Sequence, residues 1–208
     1  MAREKYVSSA TTETVIPQWQ PLGDTSGAIA WFAGKTKKPK IEFYALKIDM
    51  TSPGLRIVVR GGNKGSAGEA KTLSTRVSSF VRDNGLLAGI NAVPFNIVSA
   101  KEGRPIINEG VVISNGEHIA PANPLYDALV WYTDGGVSIV SQSQIHSPVN
   151  IENAAGGFHR ILQAGGLADG VNDRQQRHPR SAAGISADGK CSIGYEFIIC
   201  IFIYSDTE

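Results

Sequence analysis

Hydrophobic and polar positions alternate in short bursts along this chain, and clusters of glycine, proline or asparagine separate most of them. Residues 41 to 49 and 55 to 60 carry β-favouring side chains on either side of Thr51-Ser52-Pro53-Gly54, the pattern of strand, turn, strand. Apolar residues flank Asn115 and Gly116 over 111 to 114 and 117 to 120, which predicts a tight hairpin because both turn positions tolerate positive φ. The same pattern recurs over 128 to 132 and 137 to 141, around Thr133-Asp134-Gly135-Gly136. Shorter apolar runs at 86 to 91, 158 to 162 and 197 to 204 predict three more strands. One stretch changes period: Leu73, Val77, Phe80 and Val81 recur at helical spacing, with Thr72 suited to cap the start and Gly85 to end the helix. Residues 1 to 40 are polar apart from an apolar patch at 28 to 32, which predicts an irregular entry with one short strand. Many antiparallel strands and few helices predict an α+β fold.

Composition narrows the class. A chain of 208 residues, 42% hydrophobic and 19% charged, suits one substantial soluble domain, and 23 glycines fit many turns. A net charge of +1 with both signs interspersed leaves no electrostatic footprint for nucleic acid, and the basic run from Lys35 to Lys40 reads as a solvated linker. The glycine-rich stretch 61 to 68 lacks a P-loop lysine and any Gly-x-Gly-x-x-Gly pattern, so it reads as a loop. His118, His146, His159 and His178 share no ligand spacing with one another or with Cys191 and Cys200, so neither metal nor cofactor is predicted. The two cysteines fit either a bridge across a hairpin or buried thiols. No apolar run approaches the roughly twenty residues of a membrane-spanning helix. The polar N-terminus carries no secretory run, which predicts a cytoplasmic location for the chain as written. The pattern does not fix an oligomeric state.

Three places suggest chemistry. Arg177-His178-Pro179-Arg180 puts two guanidinium groups at the start of a strand-like run, either an anion clamp for phosphate or carboxylate or a solvated turn. Asn91, ending a short apolar strand, is either a structural hub or a substrate contact. Asp127 follows the turn Asn123-Pro124-Leu125-Tyr126 and reads as turn-stabilising more than catalytic.

Taken in order, several motifs resemble the phosphodiester glycosidase family: Gly89-Ile90-Asn91-Ala92 with Phe95, the hairpin from Gly110 to Gly116, Tyr126-Asp127-Ala128-Leu129, Asn153-Ala154-Ala155-Gly156-Gly157, and Arg177-His178-Pro179-Arg180-Ser181-Ala182-Ala183-Gly184. The resemblance covers residues 41 to 190 and sets them apart from an extension at 1 to 40 and a divergent apolar tail at 191 to 208. It implies hydrolysis of a sugar-1-phosphodiester, of N-acetylglucosamine type, at the glycosidic bond, with a sugar phosphate or phosphorylated glycan as partner. Exopolysaccharide or cell-wall glycan is the implied setting. It implies catalytic roles for Asn91 and Arg180, with Asp127 beside Glu109 and Asp188 as the carboxylates in matched regions, and substrate contacts from Arg177, Phe95, Asn153, Gly156 and Gly157. The turn from 153 to 157 would offer backbone donors. Family members carry an Asp-Gly-Arg turn, a glutamate-bearing helix and an Asp-Gly-Gly-Gly-Ser segment where this chain reads Cys191-Ser192-Ile193-Gly194. That departure predicts a chain lacking the family's C-terminal part, and leaves a non-catalytic sugar-phosphate-binding module or an inactive truncated product as the alternative. The family's usual export leaves secretion open if the N-terminus is incomplete.

Overall fold

A computed structural model describes residues 16–37, 40–62, 72–96, 101–146, 149–164, 166–168, 180–187 and 195–204. In chain order the elements are β1 (Gln20–Pro21), β2 (Ile29–Lys37), β3 (Lys40–Asp49), β4 (Thr72–Leu73), α1 (Val77–Asp83), β5 (Pro105–Ile106), β6 (Val112–Ser114) and β7 (Glu117–Ala120). They continue as β8 (Asp127–Tyr132), β9 (Val137–Ser141), a 3-10 turn at Gln142–Gln144, β10 (Ile151–Gly156), β11 (Leu162–Gln163), β12 (Gly166–Leu167), β13 (Arg180–Ala187) and β14 (Tyr195–Tyr204). Two five-stranded antiparallel sheets dominate, ordered β1-β2-β3-β14-β13 and β7-β6-β10-β8-β9. Only one α-helix occurs among the described residues, so the fold is more sheet-rich than a balanced α+β arrangement.

Period-two alternation explains why the sheets stack. Ile29, Leu46, Ile48 and Ile185 of the first sheet pack with Leu129, Trp131, Val137 and Ala155 of the second. The opposite face of the second sheet collects Val111, Ile113, Ala128, Val130, Ile151 and Ala154 into another core beneath Val140 and Ile145. Each large apolar side chain fully buried in this way contributes roughly 1.5–3 kcal/mol, so the sheet faces and not the helix carry the fold. On the other side of the first sheet, Phe32 meets Trp19 at 6.0 Å and Phe43 at 5.7 Å between ring centroids. Gly34 admits the Phe43 ring there, since a Cβ would lie 2.3 Å from its Cζ.

Both hairpins form as their turns require: Asn115 and Gly116 have φ of 50° and 78°, and Gly135 has φ of 87°. Elsewhere the structure differs from the sequence reading. Residues 29 to 37 form a full strand paired along its length with β3, not a brief one in an irregular entry. Residues 55 to 60 and 86 to 91 run without strand partners, and 158 to 160 are irregular. Thr72 does not cap the helix; it lies in β4, opposite Ile106. The helix starts after Arg76, whose side chain provides no cap. Glu102 does that work from a distance, its carboxylate accepting the Arg76 N–H and the Ser79 hydroxyl. Residues 195 to 204 are central to the first sheet, paired with β3 on one side and β13 on the other. No helix among the described residues is long and apolar enough to cross a membrane.

Candidate active site

Gly85, at φ of 60°, ends α1 with two bonds that turn the chain sharply: Leu86 N–H to Val81 O at 2.9 Å and Gly85 N–H to Arg82 O at 3.2 Å. The chain then doubles back against the helix. At Gly89 a Cβ would lie 2.6 Å from Val81 Cγ2 and 3.2 Å from Val77 Cγ1, so only glycine allows this approach. The segment delivers Asn91 to β13, where the Ser181 hydroxyl donates to Asn91 Oδ1 at 2.7 Å. Two motifs separated by 90 residues in sequence thus meet side chain to side chain.

Register fixes what lies around that junction. Ser181 is opposite Ile201, and Ile201 is opposite Tyr44, so Ser181 and Tyr44 occupy one rung and one face of the first sheet. Leu87, Ala88 and Gly89 close an apolar cavity of about 250 Å³ over Leu22, Trp31 and Tyr44 on that face. The Tyr44 hydroxyl donates to Glu42 Oε1 at 3.1 Å, and Lys35 Nζ lies 3.0 Å from the same oxygen. Lys35 first, and Tyr44 second, hold the Glu42 carboxyl below its ordinary range. Arg180 opens β13 as an exposed residue at the sheet edge, and alternation assigns it to the face opposite Ser181. Phe95 follows Asn91 on a segment braced by a bridge to Asn108 and by Glu109 N–H to Pro94 O at 2.7 Å. Phe95 as a whole residue is 38% exposed. Arg177, Asp188 and Cys191 lie outside the described residues.

Four other expected site residues lie in or directly beside strands of the second sheet. Asn153-Ala154-Ala155-Gly156 is not a turn with open donors but strand β10, flanked by β6 and β8 in the second sheet. Its small residues fit because both faces of the sheet are packed. Asn153 is 2% exposed, and its Oδ1 accepts the Asn115 N–H at 3.1 Å, tying β10 to the hairpin turn. The Gly156 N–H is spent on Val111 O at 2.8 Å, and the Gly157 N–H on Asp127 O at 2.8 Å. The Asp127 carboxylate accepts the Arg160 N–H at 2.8 Å and lies 3.6 Å from Arg160 Nη2, which also donates to Ile139 O. The Asp127 carboxylate thus ties β8 to the segment after β10, while the turn before it is closed by Tyr126 N–H to Asn123 O and Leu125 N–H to Asn123 Oδ1.

Sequence reasoning passed over two residues that organise the arrangement. Gln142, 1% exposed, accepts from Val111 N–H and Asn123 N–H, each at 2.8 Å, and donates to Asp127 O at 2.9 Å. It sits between two serines, in a sequence that gives no sign of burial. Ser181 was visible only as part of a motif, without a role. Among the described residues, no group of three or more His, Cys, Asp or Glu side chains is placed to hold a metal ion. A second cavity, of about 320 Å³ and polar, opens between Arg60, Leu73, Phe80, Asn84 and Asn115. Arg60 Nε donates to Leu73 O at its wall.

A family model described as phosphodiester glycosidase matches residues 84–193. The match begins at the end of α1 and takes in Asn91, Phe95, Asp127, β10 and Arg180. No curated protein matches the chain.

Proposed function

The chain belongs to the phosphodiester glycosidase family, and from that premise we propose that it hydrolyses a sugar-1-phosphodiester at the glycosidic bond, with a sugar of N-acetylglucosamine type. Water adds at the anomeric carbon, the bond to the phosphate oxygen breaks, and a phosphomonoester leaves on its acceptor. Phosphate is a better leaving group than an alcohol, so protonation by a general acid matters less than in ordinary glycoside hydrolysis. Neutralising the departing charge matters more. Arg180, with Arg177 as helper, takes that role from the sheet edge, and Asn91 orients the substrate. Polymers carrying such linkages, in exopolysaccharide or cell wall, are the proposed substrates.

The observation that carries this reading is the hydrogen bond from Ser181 to Asn91, which brings the two motifs richest in candidate chemistry together on the edge strand that Arg180 opens, with the Arg180 side chain assigned to the other face of that strand. Its test is release of free N-acetylglucosamine from a sugar-1-phosphodiester by the purified chain and by Arg180→Ala. Losing charge-assisted hydrogen bonds to phosphate corresponds to a rate loss of about 10- to 150-fold. Equal rates would remove Arg180 from the chemistry. One observation favours a second reading, a sugar-phosphate-binding module without turnover: Asp127, a carboxylate within the matched region, is committed to Arg160. Calorimetric binding of a phosphorylated glycan without any product on long incubation would select it.

A further inference from the structure

We propose that Ser181 is a positioning residue that anchors the carboxamide oxygen of Asn91 and so presents its Nδ2 to the substrate as a hydrogen-bond donor. The inference rests on the reading of Asn91 given above and adds an orientation to it. Asn91 is exposed and follows a stretch without strand partners, so its backbone gives the side chain little guidance. What steadies it comes from either end. Behind it, Gly89 is wedged against Val77 and Val81 of α1. Ahead of it stands Ser181, held in β13 by pairing with β14. The 2.7 Å bond runs from the seryl hydroxyl to Asn91 Oδ1, which leaves the two N–H groups of Nδ2 without an acceptor among the described residues. The cavity that the preceding residues Leu87, Ala88 and Gly89 line is mostly apolar. An ester or sugar oxygen of a bound sugar phosphate is the complementary group: phosphate oxygens only accept, and a hydroxyl can.

The role is one of geometry, since Ser181 itself has its hydroxyl turned to Asn91. A single surface-accessible hydrogen bond corresponds to about two- to twelvefold in an equilibrium or rate. Ser181→Ala is therefore expected to lower kcat/KM on a sugar-1-phosphodiester by that factor, and Ser181→Thr, which retains a hydroxyl and suits a strand, to restore most of it. Asn91→Asp tests the direction of recognition. Aspartate keeps the shape and can still accept from Ser181, but it has no N–H to give, so it is expected to lose as much as Asn91→Ala. If Asn91→Asp retains activity, Asn91 acts as an acceptor and the proposal fails. If both Asn91 variants are impaired while Ser181→Ala matches wild type, Asn91 keeps its place in the site and only the role of Ser181 is overturned. If Asn91→Ala matches wild type, the underlying reading falls too. A second measurement does not need turnover: N-acetylglucosamine 1-phosphate should shift the Asn91 side-chain NH₂ signals in a ¹H–¹⁵N spectrum of wild type and Ser181→Thr, and shift them far less in Ser181→Ala. Equal shifts in all three, or no shift in wild type, would overturn the proposal.

Discussion

Replacing Gln142 with leucine tests how far one buried carboxamide holds the second sheet together. Leucine is of similar volume, so the substitution leaves little cavity and chiefly deletes three hydrogen bonds. The Asp127 carbonyl keeps its bond from Gly157 N–H at 2.8 Å and is not orphaned. Two N–H groups lose their acceptor, those of Val111 and Asn123. An unsatisfied buried donor costs about 1–3 kcal/mol. Val111 is 0% exposed and bears the full penalty, whereas Asn123 is half-buried and regains part of its own from water. With Val111 in the upper half of that range, about 2–3 kcal/mol, and Asn123 at about 1 kcal/mol, the sum is about 3–4 kcal/mol, less about 1 kcal/mol for the apolar surface that leucine buries. A net loss of about 2–3 kcal/mol is a large share of the stability of a domain this size. Urea unfolding followed by circular dichroism and by tryptophan fluorescence should show coincident transitions, an unchanged slope and a midpoint lowered by about 1–2 M. A loss below about 1 kcal/mol with the slope unchanged would refute the claim that Gln142 carries these two donors.

Two further perturbations follow from the same geometry. At Gly156 an added methyl would sit 2.9 Å from Gln142 Nε2 and 3.1 and 3.2 Å from the backbone N and O of Val111, so Gly156→Ala is expected to cost about 1–3 kcal/mol in thermal or urea unfolding. Glu102 has its carboxyl held below the ordinary glutamate range, first by the Arg76 N–H and then by the Ser79 hydroxyl. A depressed folded value means that its stabilising effect is present above the unfolded value and is lost as pH falls through the folded one. The stability gap between wild type and Glu102→Gln should therefore be visible at neutral pH and close on acidification below the ordinary glutamate range, as read by unfolding midpoints across a pH series.

Much of the sheet structure was legible because its signals are local. Asn115-Gly116 dictates a turn whatever surrounds it, and β3, β8 and β9 are short β-favouring runs bounded by turn residues, β8 as a continuous apolar run. What escaped depends on partners far away in sequence. Thr72 looked like a cap because it precedes a helical period, but the acceptor at the helix start is Glu102, 26 residues beyond Arg76. Residues 55 to 60 look like a strand, yet β-propensity makes no strand without an edge to pair with. The Val59 carbonyl is instead taken by the Ser114 hydroxyl at 2.9 Å. The run of asparagine, alanines and glycines from 153 to 157 resembled a turn because small residues serve turns and tightly packed central strands equally. Only the neighbouring Gln142 and Val111 distinguish the two. In the candidate site, the motif residues were legible by type, but the Asn91 to Ser181 contact was not, since nothing local couples positions 90 residues apart.

The motifs therefore divide by physical role, and Asp127 is where that division can be tested most sharply. Its carboxylate sits half-buried at the start of β8, with one oxygen on the Arg160 N–H and the other 3.6 Å from the Arg160 guanidinium. If its work is to fasten the segment after β10 onto the second sheet, the neutral isostere should retain most of that function. In Asp127→Asn the amide oxygen can still accept the Arg160 N–H, while the Nδ2 group turns toward a guanidinium that also only donates. The expected cost is about 0.5–1.5 kcal/mol, the value of one weakened, partly screened interaction, since the pair is about a quarter exposed. Hydrolysis of the sugar-1-phosphodiester, measured well below the unfolding transition, should remain within a few-fold of wild type. A carboxylate that takes part in the chemistry behaves differently, because amide can neither carry the charge nor accept a proton at that position, and loses about 100-fold or more. Unfolding midpoints and kcat/KM measured on the same preparation separate the cases: lower stability with retained rate keeps Asp127 in the scaffold, and unchanged stability with a collapsed rate would move it into the site.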